Sequence, residues 1–469
     1  MTEDFSQKMA ALVVAATSSF LTPFMGSSVN IALPAIGDEF ALDAVTLSWV
    51  ATSAVLAAAI FLVPFGRLGD IYGRKRVFTC GVLTYTGSAL LCAFAVSAPM
   101  LIAFRFTQGM GGAMIFGTGT AILTSAFPAR ERGKALGVSV AAVYLGLTLG
   151  PSLGGFLTHH FGWRAVFLSN LPVGLMVLLL VAFRLKGEWA EARGESFDLF
   201  GSALYCGALV ATMYGFSRLP EAVGGGLILL GLLGLVAFAL VESRSNSPLL
   251  EMSLFRKNRA FAFSNLAALI NYSATFGVGF ILSLHLQYVK GLSAQEAGLV
   301  LIAQPLLMIF VALLSGWLSD RMRPQILAGI GMALTTISLL TLMDLGTETS
   351  IRSVLASLAI LGLGVGLFSS PNTNAVMSSV SPRFYGVASS TLGTMRLTGH
   401  MLSLGMVMLA FSLYMGRVAI APESFDLFIR SAQAAFVAFA ILSFGGIFAS
   451  MVGGSDGRRD FGGTGTGDR

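Results

Sequence analysis

Side chains able to carry charge chemistry are sparse in the apolar parts of this chain, so each one stands out. In 101-LIAFRFTQGMGG-112, Arg105 is a permanent cation well inside an apolar run. A charge placed there costs several kcal/mol in lipid, unless it faces a bundle interior or water, or snorkels to the interface. In 396-RLTGH-400, Arg396 and His400 are spaced i, i+4 and share a helix face. Histidine changes protonation near neutral pH, so His400 is a candidate proton carrier; the alternative is a hydrogen-bonded packing residue. His285, near the end of another run, is a second candidate, while His159 and His160 read as loop residues. All 23 Asp and Glu fall in loops, tails or run ends. Neither a phosphate-cradling glycine loop nor a metal-spaced His/Cys cluster is present. The expectation is therefore no metal, no cofactor and no enzymatic chemistry. Cys80, Cys92 and Cys206 lie inside apolar runs and read as small buried hydrophobes.

Helices that cross a bilayer must position these residues. The chain has 469 residues, 55% hydrophobic and 11% charged, with mean hydropathy +0.80; a soluble domain carries about 25% charged residues. A span needs about 20 apolar residues. Such runs occur near 9–33, 46–66, 77–97, 99–126, 135–158, 163–183, 198–217, 223–241, 260–286, 296–318, 325–343, 351–376, 385–415 and 427–452. The predicted fold class is all-α integral membrane, with 14 transmembrane helices. With a cytoplasmic N-terminus, the inner segments hold 21 Lys/Arg and the outer segments six, with Arg105 and Arg396 inside spans. The positive-inside rule then places both termini in the cytoplasm. The net charge of +6 is explained by inner loops facing anionic lipid and requires no nucleic acid. The start MTEDFSQKMA lacks the basic start and cleavage site of a signal peptide, so the first span is expected to be retained. The Gly-rich tail 453–469 is expected to be disordered.

An internal repeat organises the spans. The loops 66-GRLGDIYGRKR-76 and 316-GWLSDRMRPQ-325 match at Gly66/Gly316, Leu68/Leu318 and Asp70/Asp320, offset by 250 residues. A second echo aligns 133-GKALGVSV with 386-GVASSTLG. Parallel repeats of a six-helix unit are a known transporter plan. The division expected is an N-terminal bundle over 1–185, a cytoplasmic linker with two inserted helices over 186–258, and a C-terminal bundle over 259–452. In the first loop, Gly66 and Gly73 allow close packing and sharp turning. Asp70 can accept hydrogen bonds from helix N-termini or from an Arg across the interface between the halves, with Arg74 and Asp320 completing a gating set. The plain alternative is a positive-inside loop. In 146-GLTLGPSLGG-155, Gly146, Gly150 and Gly154 form one small-residue contact face, and Pro151 bends the helix.

On these segments the sequence resembles the major facilitator superfamily, in its branch of fourteen-span drug:proton antiporters. Loop 66–76 resembles the cytoplasmic gating signature, 101–112 the span-4 Arg signature, and 146–155 the antiporter signature. Further resemblance lies in 161-FGWRAVFLSNLPVG-174, 284-LHLQYVKGLSAQEAG-298, 371-PNTNAVMSSV-380 and 386-GVASSTLGTMR-396. The resemblance implies two six-helix bundles around a central cavity, rocking of the halves, and export of amphiphilic compounds driven by proton entry.

One position departs from the pattern. In 24-FMGSSVNIALP-34, Met25 stands where the resemblance implies a span-1 acid. Attention shifts to Arg105, Arg396 and His400, with Asn30, Gln108, Asn271, Gln304, Asn372 and Asn374 as polar neighbours and Phe24, Tyr144, Tyr272 and Phe276 as aromatic ones. The expected activity is that of a monomeric inner-membrane exporter of small amphiphilic molecules, with protons and membrane lipids as its other partners. The alternative is a uniporter, or a carrier of an anionic or neutral metabolite or of a lipid, because Arg105 and Arg396 have no intramembrane carboxylate to balance them.

Overall fold

The computed structural model describes residues 2–127, 129–185, 187–244, 249, 251–319, 321–381 and 384–452. Asp320 and the tail 453–469 lie outside the described residues. The helices are α1 (Thr2–Phe40), α2 (Ala44–Tyr72), α3 (Arg74–Ala93), α4 (Ala98–Ala126), α5 (Ala129–Phe161), α6 (Arg164–Leu168), α7 (Asn170–Phe183), α8 (Leu199–Arg218), α9 (Ala222–Glu242), α10 (Met252–Lys257), α11 (Arg259–Leu284), α12 (Ala294–Leu301), α13 (Ala303–Ser319), α14 (Pro324–Leu342), α15 (Ile351–Ser378), α16 (Tyr385–Tyr414) and α17 (Phe425–Val452). A π-helical turn, His285–Val289, continues α11. No strand occurs among the described residues.

Among the described residues, 13 helices or helix pairs are long and apolar enough to cross a membrane. The other expected span is α4, which has the length, at 29 residues; Arg105, Gln108 and its glycines lower its hydropathy. Two expected spans are interrupted. The run 163–183 breaks between α6 and α7, because Pro172 has no N–H for the Leu168 carbonyl. The run 296–318 breaks between α12 and α13, where Pro305 does the same to Leu301.

The same pairings recur in both halves of the chain. α1 packs on α5 as α11 packs on α16, and α2 on α4 as α13 on α15. α3 packs on α4 and α7 as α14 packs on α15 and α17. The fold is thus two six-helix bundles related by a parallel repeat, with α8 and α9 inserted between them. The inserted α8 touches both bundles, through α2 and α16. Tyr205 donates to the Ala59 carbonyl at 3.2 Å, and the Cys206 thiol to that of Ile60 at 3.3 Å. The Ile60 carbonyl is open to this contact because Pro64 has no N–H to give it. On the other side, Met213 and Phe216 pack against Gly405, and Ser412 donates to the Leu219 carbonyl. α9 leaves Leu229, Leu230, Leu233 and Val236 exposed on its outer face, as a lipid-facing helix should.

Candidate functional site

Near the middle of the helices, side chains from both bundles converge. His400 of α16 stacks on Phe276 of α11, with centroids 4.0 Å apart and planes at 18°, and meets Tyr272 edge-on at 5.3 Å. Arg396, one turn before His400, holds its guanidinium carbon 5.1 Å from the Tyr272 ring centre. Tyr144 reaches in from α5, within electrostatic range of Tyr272 and Arg396 and near Ser369 on α15. Arg396 makes no hydrogen bond or ion pair among the described residues, and its Nε is buried without a partner.

Arg105 is placed differently. It is 3% exposed and sits inside the N-terminal bundle. Its Nε donates to the Val50 carbonyl at 3.2 Å and its Nη1 to Gln108 Oε1 at 2.5 Å, with Phe167 at 5.9 Å. The two arginines that look alike in the sequence therefore do not share a site.

The polar neighbours also divide. Gln108 is bound to Arg105. Asn271 turns away toward Met332 Sδ at 3.0 Å, and Asn374 donates to Ser319 at 3.2 Å. Gln304 is half-buried and Asn372 buried, and neither side chain has a described hydrogen bond. Met25 is 1% exposed and packs in the bundle core, with its sulfur 3.8 Å from Asn170 Nδ2. Phe24 is buried and stacks on Phe20. His285 is fully buried, and neither of its ring nitrogens has a partner among the described residues.

Above the central cluster, at the Lys/Arg-poor end, the bundles are joined. Ser283 donates to the Asn30 carbonyl at 2.7 Å. That carbonyl lacks its helical partner because Pro34 has no N–H. Gln287 donates to the Ile31 carbonyl at 3.1 Å and Tyr288 to that of Pro34 at 3.2 Å, with Asp38 beside it. The Ala44 N–H donates to Val418 O at 3.1 Å. Beside this seam α5 meets α12: a Cβ on Gly298 would strike the Pro151 carbonyl, and one on Gly155 the Ala294 carbonyl. Gly146, Gly150 and Gly154 instead face α1, where a Cβ would lie 2.6 Å from Phe20 O at Gly146 and 2.7 Å from Ser28 Cα at Gly154.

At the Lys/Arg-rich end, loop 66–76 is tied down by the segment that follows α7. Arg74 binds Asp70 at 2.8 Å, Ser125 at 2.8 Å and both oxygens of Glu191 at 2.8 and 3.0 Å. Arg67 pairs with Glu195 at 2.5 Å and Arg76 with Glu188 at 3.7 Å. Gly73 turns the chain at φ 117°, a conformation that favours glycine, and a Cβ there would meet Glu188. Gly66 lies against Gly117 of α4. Of the donors expected for Asp70, a helix N-terminus or an Arg from the other half, neither is its described side-chain partner, which is Arg74 of its own loop. Asp70→Asn should therefore loosen the loop through Arg74 and slow turnover about tenfold, on the scale of a hydrogen bond to a charged group. Transport kinetics check this; KM should be nearly unchanged, and an unaltered turnover would contradict a gating role.

A sequence model described as the Major Facilitator Superfamily matches residues 15–404. The chain belongs to this superfamily. Superfamily relatives include the riboflavin transporter RibZ of Clostridioides difficile (strain 630), 32% identical over 393 residues that cover 83% of this chain and 85% of the relative. The cephamycin export protein CmcT of Amycolatopsis lactamdurans is 33% identical, covering 87% and 86%. The multidrug resistance protein Stp of Mycobacterium tuberculosis (strain CDC 1551 / Oshkosh) is 32% identical, covering 79% and 70%. Among solved structures, a bacterial homologue of the human lysosomal transporter Spinster, in an inward-facing and unoccupied conformation, matches with TM-score 0.67 and 16% identity over 96% of this chain and 97% of that one. The peptide transporter POT in complex with alafosfalin matches with TM-score 0.68 and 15% identity, covering 93% of each chain. At these identities the structural matches establish the superfamily fold alone.

Proposed function

We propose that the protein exports small amphiphilic molecules across the cytoplasmic membrane by alternating access, with both termini in the cytoplasm. The observation that carries this reading is the placement of the Arg396–His400 cluster between the bundles, beneath a seam made of a few separable contacts. Hydrogen bonds between membrane helices contribute only about 0.6–2 kcal/mol each, so a handful of them can close one end and still release. Rocking of the two bundles, 1–185 against 259–452, would open that seam and expose the cluster to the other side. The drug- and antibiotic-export names among the relatives support the substrate class. The test is efflux of fluorescent amphiphiles from cells that express the protein, against cells carrying an empty vector. Equal retention with the protein correctly inserted would overturn the reading.

A second reading, proton coupling, is favoured by one observation. His400 is the member of the cluster whose side chain type, when free in water, changes charge near neutral pH, and it has no described hydrogen bond of its own to hold it in one form. On this reading His400→Ala flattens the pH dependence of transport. An identical pH profile in the variant would remove His400 from the mechanism.

A further inference from the structure

We infer that the transported molecules are aromatic anions, bound at Arg396 and driven outward by the membrane potential. This rests on the transporter reading above. The first ground is the contrast between the two intramembrane arginines. Arg105 is hydrogen-bonded to the Val50 carbonyl and Gln108, lies by the Phe167 ring and is only 3% exposed, so no room is left for a ligand. Arg396 is half-buried, with no hydrogen bond and no carboxylate partner among the described residues. A cation held in a bilayer without a counter-ion is costly, and these residues nearly always pair. A ligand carboxylate or sulfonate would supply the missing partner, and a guanidinium can grip it with two parallel hydrogen bonds.

The second ground is shape. Beside Arg396 lie the flat faces and edges of Tyr272, Phe276 and His400, with Tyr144 opposite on the other bundle. Aromatic surfaces next to a planar cation select a flat body that carries an acidic group.

The third ground is energetic. Antiport needs substrate and proton to exclude one another from the site, as a cation and a proton do at a carboxylate. An anion attracts a proton and does not displace it, so an anion at Arg396 would not compete with protonation of His400. Nor does export of an anion require such competition. The cell interior is negative, and 100 mV supports about a 50-fold concentration ratio for one elementary charge. With Met25 buried in the bundle core where the resemblance implies an acid, the drive on this inference is the potential, in place of the proton coupling of the second reading.

The test uses the full chain in proteoliposomes, with two flat membrane-impermeant fluorophores, pyrenesulfonate and a pyrenyl trimethylammonium. A potassium diffusion potential and a pH gradient are imposed separately. Pyrenesulfonate should accumulate about 50-fold on the positive side at 100 mV, reverse with the sign of the potential, and ignore a pH gradient alone. Arg396→Gln should reduce this flux at least about tenfold, on the scale of a lost hydrogen bond to a charged group, with Arg396→Lys retaining part of it. Uptake of the cation driven by the pH gradient, or of the anion by the pH gradient alone, would overturn the inference and leave the transporter standing. So would an undiminished flux in folded Arg396→Gln. If the inserted protein moves neither fluorophore, the transporter reading falls, and this inference with it.

Discussion

Gly298→Val is expected to abolish transport while leaving the protein inserted and folded. Gly298 lies on α12, and a Cβ there would collide with the Pro151 carbonyl of α5, in the opposite bundle. Neither a helix backbone nor a proline-bent carbonyl can yield as a side-chain tip can. Overpacking of this kind typically costs about 1–3 kcal/mol, and 3 kcal/mol shifts a two-state equilibrium about 150-fold. On the proposed rocking of the bundles the contact exists only when the Lys/Arg-poor end is closed, so the penalty would fall on that state alone. A cysteine placed at Gln287, in a background without Cys80, Cys92 and Cys206, should react faster with an impermeant maleimide from the Lys/Arg-poor side once Gly298→Val is present. Equal labelling rates with normal transport would contradict the assignment of this contact.

Gly150→Leu is the second large effect, and it acts on folding. A Cβ on Gly150 would fall on the Ser27 hydroxyl and 2.9 Å from the Phe24 carbonyl, both on α1 within the same bundle. Ser28 also donates to the Gly150 carbonyl at 2.9 Å, so the helices cannot separate without losing that bond. A leucine must force α5 and α1 apart along the whole ladder that Gly146, Gly150 and Gly154 form. Dispersion packing is what holds helices together in lipid, so the yield of monodisperse protein should fall severely, with the melting temperature of any survivor lowered. Normal yield and activity would refute the close-contact reading. The two glycines thus separate by consequence: one lies within a bundle, the other between bundles.

Much of this architecture is legible in the sequence, for identifiable reasons. Apolar runs of bilayer length mark the spans, since lipid leaves the backbone few alternatives to a helix. The 250-residue offset between Asp70 and Asp320 announces the repeat that the helix pairings then display. The helix breaks before Pro172 and Pro305 follow from a missing N–H, yet both segments read as continuous spans in the sequence, because their apolar character does not change at the break. What composition conceals is which way a side chain points. Arg105 and Arg396 are equal as letters, and only burial separates the satisfied one from the free one. Pro34 signals an open carbonyl at Asn30, yet nothing local names Ser283, some 253 residues away, as its donor. Glu188, Glu191 and Glu195 look like ordinary linker charges until they are seen on Arg76, Arg74 and Arg67.

The central claim is that the two bundles part and rejoin at the Lys/Arg-poor seam. Spin labels at Val96 and Glu348, exposed loop positions of opposite bundles at that end, measure it directly in proteoliposomes by pulsed dipolar spectroscopy. Two distance populations are predicted for the wild-type chain, with Gly298→Val driven toward the longer one. A single distribution, the same in both proteins, would contradict the account.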